Sequence, residues 1–574
     1  MSLRTEAESS TTRTCGCAIV RVSATIGATA AESPVGPARW RRARRSLLHT
    51  DRPSGGRVLT PYVPEPYSDF TNPTSAARYR AALDTVAARL GERALLVIGG
   101  EHIDTKGSIE SVNPSNPDQR IGTAASATKD HVEQAMAAAW DAYASWSRKT
   151  AEERAGIVHR VGDLILERKF EFAAWQSYEA GKNWGEAEAD VAEAVDFCRY
   201  YAHQALRMSE PVEVVQVDGE TNTSMLQPIG AGVVIPPWNF PLAIPAGMAM
   251  GPVAAGNTVI LKPASNTPLI AWAFMKVLED AGMPAGVVNF LPGSGGEIGD
   301  ALIDHPRTRF VNFTGSKEVG LRIAERAAKV GTGQKWLKRA YMEMGGKDAL
   351  IIDDTVDIEA AATDAVRSAF GFQGQKCSAC SRVIVFDSVH DELVDAVVEI
   401  ASKLTIGAAI ENFPVGPVIS AAQHRSIMAE IEAGKEEATL VMGGHAIEKD
   451  GGYYIEPTVF VDVEPDSRLA QHEIFGPVLS IIKVADFDDA LAVANGTEFG
   501  LTGGVYSNDE QRLARAKREF HAGNLYLNRK ITGALVGVQP FGGFNMSGSN
   551  AKAGGPDYLR LFMEMKSIAE SHRK

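Results

Sequence analysis

The chain has 574 residues, of which 45% are hydrophobic and 22% are charged, so it is long enough for two or more domains with cores of their own. Its formal net charge of -13 argues against a basic surface for nucleic acid or anionic membranes, and neither partner is expected. Five cysteines are too few and too irregularly spaced for a disulfide framework, which favours a reducing compartment.

Residues 1–60 differ in composition from the rest of the chain. They contain arginine but no lysine, together with many small and turn-forming residues, and they have no sustained apolar period. We expect a disordered N-terminal extension. Before residue 50 its only acids are Glu6, Glu8 and Glu32, which also fits an organelle transit peptide. The expected location is therefore cytoplasmic, with the mitochondrial matrix as the alternative.

From about residue 75 the apolar residues become periodic. Thr128 is a good N-cap for an amphipathic helix whose core positions include Val132, Met136 and Trp146. Further along, short β-branched runs alternate with helical stretches, which predicts a parallel α/β sheet. These runs are GVVI (232–235), TVIL (258–261), VVNF (287–290), FVNF (310–313), ALII (349–352) and RVIVF (382–386).

Two segments in the middle of the chain raise separate questions. The uncharged run from Thr221 to Leu261 has the length of a membrane span, but its six prolines would break one, so it predicts buried strand, turn, helix and strand. Residues 212–226 alternate around Asp218-Gly219, which predicts a β-hairpin projecting from the α/β body. Such arms often pair with another subunit, so a homo-oligomer is expected.

Cys377, in the segment GQKCSAC, lies among small residues where backbone N–H groups can stabilise a thiolate. Taken by itself, such a cysteine is more often a buried structural residue. With Cys380 it could be a redox pair or half of a zinc site. No second CxxC or histidine pair in the sequence completes such a site, so no metal is expected.

Three further segments carry polar residues at sites of tight packing. Glu343 precedes a Gly-Gly turn and could serve as a base, although a lone glutamate is usually solvated. Asn239, in the proline-ordered loop IPPWNFP, could be an oxyanion donor or a simple turn residue. Gly315 and Ser316 stand between a predicted strand and helix, where a pyrophosphate could bind. This glycine motif is short and weak alone.

Taken together, these segments resemble the aldehyde dehydrogenase superfamily over about residues 75–570. PWNF, KPA, FTGS, EMGGK, GQxC, EIFGP and PFGG occur in the family's order. The spacing from Glu343 to Cys377, 377 − 343 = 34 residues, is also usual there. The resemblance implies an α/β fold with a Rossmann-type cofactor domain (61–209 and 229–344), an α/β catalytic domain (345–535) and an oligomerisation arm (210–228 with 536–574).

The resemblance also implies a mechanism. Cys377 would attack an aldehyde, Asn239 would hold the oxyanion, and Glu343 would activate water to hydrolyse the thioester. NAD would accept the hydride, and NADP is not excluded because Ser265 replaces a glutamate that many NAD-preferring members carry. The residues implied in cofactor binding are Ile235, Pro237, Trp238, Lys262, Ser265, Gly315, Ser316, Glu473 and Phe475.

The C-terminal segment NRKITGALVGVQPFGG to KAGG looks like the anchor loop of the 1-pyrroline-5-carboxylate dehydrogenase subfamily of proline breakdown. This implies glutamate γ-semialdehyde as substrate and a separate proline dehydrogenase as a transient partner. Backbone N–H groups could hold the substrate's α-carboxylate without a buried cation. The alternatives are another small semialdehyde or a catalytically silent homologue. The implied substrate residues are Ser378, Gly533, Ala534, Phe240, Phe541 and Glu193.

Overall fold

The computed structural model of the protein describes residues 61–572, so the prediction for residues 1–60 lies outside the described part. No helix within 61–572 is both long and apolar enough to cross a membrane. The uncharged run that begins at Thr221 instead contains the predicted elements: strand Ala231–Ile235, helix Ala243–Ala254 and strand Thr258–Leu261. All six β-branched runs form strands, and Thr128 is the N-cap of helix Lys129–Trp146, as predicted.

The first of two large sheets has seven strands. Five of them are parallel, and the two at one edge are joined by antiparallel pairing. Residues of the central strands are fully buried, because helices cover the sheet. In spatial order the strands are Arg339–Glu343, Phe310–Thr314, Ala231–Ile235, Thr258–Leu261, Val288–Phe290, Leu96–Ile98 and Glu101–Ile103.

The second large sheet also has seven strands and is parallel except for one edge strand. Along Asp348–Ile352, Ala349 and Ile351 face one core whereas Leu350 and Ile352 face another, so both faces of the sheet are covered. In spatial order the strands are Thr439–Met442, Thr458–Val461, Val478–Val484, Cys380–Phe386, Asp348–Ile352, Thr502–Tyr506 and Asn524–Leu527.

Helices and small sheets complete the described part. The domain boundaries remain a prediction, compatible with first-sheet strands between Leu96 and Glu343 and second-sheet strands between Asp348 and Leu527. The remaining α-helices are Pro73–Ala87, Ala151–Glu167, Lys169–Glu179, Trp184–Met208, Pro268–Asp280, Asp300–Asp304, Lys317–Ala328, Ile358–Phe370, His390–Ser402, Ala421–Gly434, Arg468–Gln471, Phe487–Asn495 and Glu510–Glu519. The remaining strands are Glu92–Ala94, Asn116–Ala125 and Ser108–Asn113 in one sheet, with Ala446–Ile447 and Tyr454–Ile455 in another.

The predicted arm forms with a different pairing from the one expected. Only one bridge, Val212 to Ser224, joins the two sides of the hairpin predicted around 218–219. Strand Glu220–Pro228 pairs instead, antiparallel and along its whole length, with the C-terminal strand Met563–Ser571. The alternating pattern of the sequence predicted a strand correctly. A partner more than three hundred residues away leaves no local turn signal, so the pairing could not be read from it.

Arg382 connects the second sheet to the segment that follows Glu343. The residue is 2% exposed, although it carries a charge. Its guanidinium donates to the carbonyl oxygens of Lys347 at 2.9 Å, Val493 at 2.9 Å and Ala494 at 3.0 Å. A planar cation with several donors can satisfy three buried carbonyl groups at once.

Replacing Arg382 with methionine should therefore destabilise the protein, because three buried carbonyl groups lose their partner. We expect Arg382→Met to lower the free energy of unfolding by about 3 kcal/mol or more. Arg367→Met is the matched control, since the Arg367 side chain is 70% exposed and its nearest carboxylate, Asp364, is 3.9 Å away. It should cost less than about 0.5 kcal/mol. Denaturant unfolding of both variants measures the difference, and equal midpoints would contradict the role of Arg382.

Candidate active site

The predicted nucleophile follows a left-handed stretch of backbone. Phe372, Gln373 and Gly374 have φ angles of 50°, 56° and 66°. A Cβ on Gly374 would lie 2.1 Å from the carbonyl oxygen of Gly476, so only glycine fits there. The chain then reaches Cys377, which is half-buried. This turn therefore sets the direction of the chain between helix Ile358–Phe370 and Cys377.

The amide of Asn239 approaches the same loop from the first sheet. Asn239 lies beyond strand Ala231–Ile235 and is 4% exposed. Its Nδ2 donates a hydrogen bond to the carbonyl oxygen of Gln375 at 3.0 Å, two residues before Cys377. Within the described part of the chain the second N–H of this amide has no partner. A fixed amide with one spare donor beside a nucleophile is suited to hold an oxyanion.

Glu343 is the last residue of the edge strand of the first sheet. Its Oε1 is buried and has no hydrogen-bond partner among residues 61–572. Burial raises the pKa of Glu343 to about 8, and the Gly543 N–H and the Lys552 charge oppose this only in part. A carboxyl group that exchanges a proton near neutral pH and has a free oxygen is suited to act as a general base.

Burial has the same effect on the thiol of Cys377. Desolvation raises the pKa of this thiol well above its ordinary value, and the negative charges of Glu343 and Asp348 act in the same direction. At pH 7 the free protein should therefore hold both the thiol and the Glu343 carboxyl mainly in their protonated forms. The thiol must lose its proton before it can attack, because the thiolate is the nucleophile.

One cavity of about 470 Å³ unites most of the predicted catalytic and substrate residues. Cys377 and Glu343 both line it, so the nucleophile and the base face the same enclosed space. Helix Trp184–Met208 supplies Glu193, whose pKa burial and the neighbouring Asp190 raise to about 8. The volume suits a small molecule. The other predicted residues that line the cavity are Phe240, Ser378, Gly533, Ala534 and Phe541.

A buried ion pair that the sequence analysis missed supports one wall of this cavity. Lys182 Nζ and Asp190 Oδ2 are 2.8 Å apart, and both side chains are fully buried. The Lys182 ammonium lies 4.1 Å from the centre of the Phe240 ring, and Asp190 Oδ1 accepts the N–H of Ala243 at 2.6 Å. The pair thereby fixes the loop that carries Phe240. A lone lysine and aspartate carry no periodic signal in the sequence.

Two further lysines line the same cavity and were also missed. Lys376 Nζ is 2.7 Å from Glu186 Oε1, and Lys530 lies on the side of the predicted anchor at Gly533 and Ala534. The sequence predicts that backbone N–H groups alone can hold the anion, and these two cations line the same cavity. Their positions in the sequence could have identified them, because Lys376 directly precedes the nucleophile and Lys530 precedes the anchor by three residues.

Several predicted cofactor residues lie where the strand order of the first sheet reverses. Strand Ala231–Ile235 has Thr258–Leu261 on one side and Phe310–Thr314 on the other. Such a reversal leaves a crevice at the carboxyl ends of the strands, where ligands bind in open α/β sheets. Lys262 and Gly315 directly follow two of these strands. The reversal therefore gathers residues that are distant in sequence.

Side chains at this crevice fit a nucleotide. Lys262 is 6% exposed, and burial lowers its pKa to about 8. Among residues 61–572 its Nζ hydrogen-bonds only to the Pro263 carbonyl oxygen, at 3.4 Å. A buried ammonium with no carboxylate among the described residues suits ribose hydroxyls. Ser316 is exposed and is the N-cap of helix Lys317–Ala328. The first four backbone N–H groups of a helix have no partner within it, so they can bind a pyrophosphate. Of the other predicted residues, Ile235 and Pro237 are half-buried and Ser265 is exposed.

The second sheet contributes the remaining predicted cofactor residues. Gly346 N–H donates to Glu473 Oε1 at 3.1 Å, and a Cβ on Gly345 would lie 2.0 Å from Glu473 Oε2. Burial raises the pKa of Glu473 to about 7. The rings of Trp238 and Phe475 meet edge to face with centres 5.6 Å apart. The ring contact connects a first-sheet loop with a second-sheet loop. These residues lie outside the cavity that Cys377 lines.

The chain matches the model of the aldehyde dehydrogenase family over residues 102–568. That span is most of the sequence, and the chain belongs to this family. It is 52% identical to 1-pyrroline-5-carboxylate dehydrogenase from Geobacillus thermodenitrificans over 514 residues, which are 89% of this chain and 100% of that protein. The resemblance found in the sequence is confirmed.

Solved structures agree with this assignment. The crystal structure of 1-pyrroline-5-carboxylate dehydrogenase from Thermus with bound NAD superposes with a TM-score of 0.89 at 53% identity, covering 90% of this chain and 100% of that one. Proline utilization A from Bdellovibrio bacteriovorus superposes with a TM-score of 0.88 at 43% identity and covers 90% of this chain and 54% of its own. The predicted aldehyde dehydrogenase fold is confirmed.

The raised pKa of Cys377 predicts slow alkylation at neutral pH. In the free protein, the rate at which iodoacetamide labels Cys377 should rise about tenfold per pH unit from pH 7 to pH 9, because only the thiolate reacts. Peptide mass spectrometry separates this site from the other cysteines. Buried Cys198, whose pKa burial also raises, serves as the internal control and should remain unlabelled. A labelling rate that is already at its plateau at pH 7 would contradict the prediction.

Proposed function

We propose that this chain oxidises L-glutamate γ-semialdehyde, the open form of 1-pyrroline-5-carboxylate, to L-glutamate in proline degradation, with NAD as the hydride acceptor. The observation that carries the proposal is the cavity in which Cys377 and Glu343 meet Ser378 and the Gly533 turn. Relatives of about the same length that are half identical to this chain are named for that reaction. The Thermus relative has bound NAD, which supports the choice of cofactor.

In this mechanism the Cys377 thiolate adds to the aldehyde carbon, and the carbonyl oxygen becomes negative. The spare N–H of Asn239 and the backbone N–H of Cys377 hold that oxygen. Lys262, Ser316 and Glu473 would hold NAD, which would supply the acceptor for the hydride of the adduct carbon and leave a thioester on the sulfur. Glu343 then takes a proton from water, which attacks the thioester and releases glutamate and the free thiol.

The residues assigned to the cofactor divide into two groups. Lys262 would contact the adenosine ribose and Ser316 the pyrophosphate, at the crevice of the first sheet. Glu473 would contact the nicotinamide ribose, and Trp238 would pack beside it. Ser265 puts no carboxylate near the ribose of the adenosine, so this site does not repel the phosphate of NADP by charge. NAD is the proposed cofactor, and the charge at this position does not exclude NADP.

We also propose a homo-oligomer that forms through the arm. The two-stranded sheet of Glu220–Pro228 and Met563–Ser571 exposes Met225, Met565 and Ile568, and exposed apolar side chains of this kind favour a partner surface. We also propose a transient contact with a separate proline dehydrogenase. Its support is the similarity to proline utilization A, of which this chain covers 54%.

The nucleophile and the substrate can be tested together. Wild-type protein should reduce NAD with glutamate semialdehyde much faster than with succinic semialdehyde or propanal, and Cys377→Ala should lose about a thousandfold or more in kcat. Cys380→Ala is the matched control and should keep its activity, because Cys380 is buried on a strand with its Sγ 3.5 Å from the Arg382 carbonyl oxygen. Equal turnover of the three aldehydes would favour a general dehydrogenase, and no turnover a silent homologue.

The base can be tested by separating the two chemical steps. Glu343→Gln should still release a burst of about one NADH per site, whereas its steady-state rate should fall by about a hundredfold or more, because hydrolysis of the thioester needs the carboxylate. In the wild type the base is active only when Glu343 is deprotonated, and its pKa is raised to about 8. The rate of hydrolysis should therefore depend on pH.

Below pH 8, the wild-type hydrolysis rate should consequently fall about tenfold per pH unit, and the Glu343→Gln rate should not follow this profile. Stopped-flow absorbance at the NADH band measures both phases. A variant that loses the burst as well as the steady state would assign Glu343 to the first step instead.

A further inference from the structure

The cavity contains a positive charge that the mechanism does not use. Lys530 lines the cavity, and among residues 61–572 its Nζ makes no hydrogen bond or ion pair. The other cavity lysine, Lys376, is neutralised by Glu186 at 2.7 Å. Glu188, a second carboxylate of the lining, pairs with Lys169 and accepts hydrogen bonds from Ser68. Glu193 and Glu343 also line the cavity, and burial raises the pKa of each to about 8, so both are mainly uncharged at pH 7. Lys530 is therefore the cavity lysine that has no carboxylate contact among the described residues.

The ammonium of Lys530 lies over the turn at Gly533. Its Nζ is 3.6 Å from the position that a Cβ would take on Gly533, where the backbone is left-handed with a φ of 76°. A side chain on residue 533 would therefore stand between this ammonium and the turn. Glycine keeps the approach open, and a molecule at the turn reaches both the backbone N–H groups and the cation.

The short segment between these two residues is held rigidly. The Arg529 guanidinium donates to the carbonyl oxygens of Lys530 at 3.2 Å and Thr532 at 3.2 Å. The N–H of Ile531 donates to Ser368 Oγ at 3.2 Å. The backbone that carries Lys530 is consequently fixed relative to the turn. A lysine with a fixed backbone and a flexible charged end is suited to bind an anion in the cavity.

We infer that Lys530 is a specificity-determining residue that binds the α-carboxylate of the substrate together with the backbone N–H groups of the Gly533 turn. This inference rests on the proposed function and deepens it. It assigns, as the preferred substrates, semialdehydes whose carboxylate lies as far from the aldehyde as in glutamate γ-semialdehyde, which is one carbon longer than succinic semialdehyde. A simple aldehyde has no group for Lys530, so it gains nothing from this charge.

Lys530→Met and Lys530→Arg test the inference, with propanal as the aldehyde that lacks a carboxylate. Methionine keeps the length and removes the charge, so the KM for glutamate semialdehyde should rise about tenfold or more while kcat stays close to that of the wild type. The KM for propanal should not change. Lys530→Arg should restore most of the affinity. Added KCl should raise the KM of the wild type more than that of Lys530→Met, because salt screens the charge.

The control variant is Lys106→Met, since Lys106 is exposed and lies outside the cavity. It should leave both KM values unchanged. An unchanged KM for glutamate semialdehyde in Lys530→Met overturns the inference, and so does an equal rise of KM for both aldehydes, which would indicate a structural role. If the wild type itself does not oxidise glutamate semialdehyde, the proposed function fails first. If it does and Lys530→Met matches it, only the role of Lys530 fails.

Discussion

The two large sheets are joined by only four residues, 344–347, and two of these are glycines. A Cβ on Gly345 would meet the Glu473 carboxylate at 2.0 Å, and one on Gly346 would meet the Cys377 carbonyl oxygen at 2.8 Å. A side chain at position 345 would displace the Glu473 carboxylate, and one at position 346 would displace the backbone at Cys377 or the Asp348 carboxylate. Close backbone approach at this link therefore allows a base from one sheet to meet a nucleophile from the other, with the proposed cofactor residues beside them.

Desolvation dominates the electrostatics around this link. It raises the pKa of Glu343 to about 8 and that of Glu473 to about 7, and it lowers that of Lys262 to about 8. Each of these groups would keep its ordinary pKa in water. Groups of the surrounding fold must hold them in place, as Arg382 does for the segment that links Glu343 to the second sheet. Perturbed groups that cluster in this way are typical of functional sites rather than of structural ion pairs.

The sequence predicted the parts of the fold that have local signals. Continuous β-branched runs mark the buried parallel strands, and the order of the short motifs marks the family. Features that depend on distant pairing could not be predicted. The C-terminal strand that joins Glu220–Pro228 has no nearby turn, and Lys182 and Lys530 are single lysines whose surroundings exist only after folding. Glu343 and Cys377 were found because their neighbours in sequence form recognisable motifs.

The left-handed stretch before the nucleophile has a consequence for how this protein can change. Phe372 and Gln373 hold a backbone conformation that costs a residue with a side chain of the order of 1 kcal/mol each. Glycine at either position would relieve this strain, but it would also remove a buried side chain, since Phe372 and Gln373 are each 1% exposed. For Phe372 the lost packing would cost about 3 kcal/mol or more, which exceeds the strain that is relieved. The packing of these side chains therefore keeps the strained backbone in place, and a variant that relaxes this backbone should lose stability together with the loop geometry before Cys377.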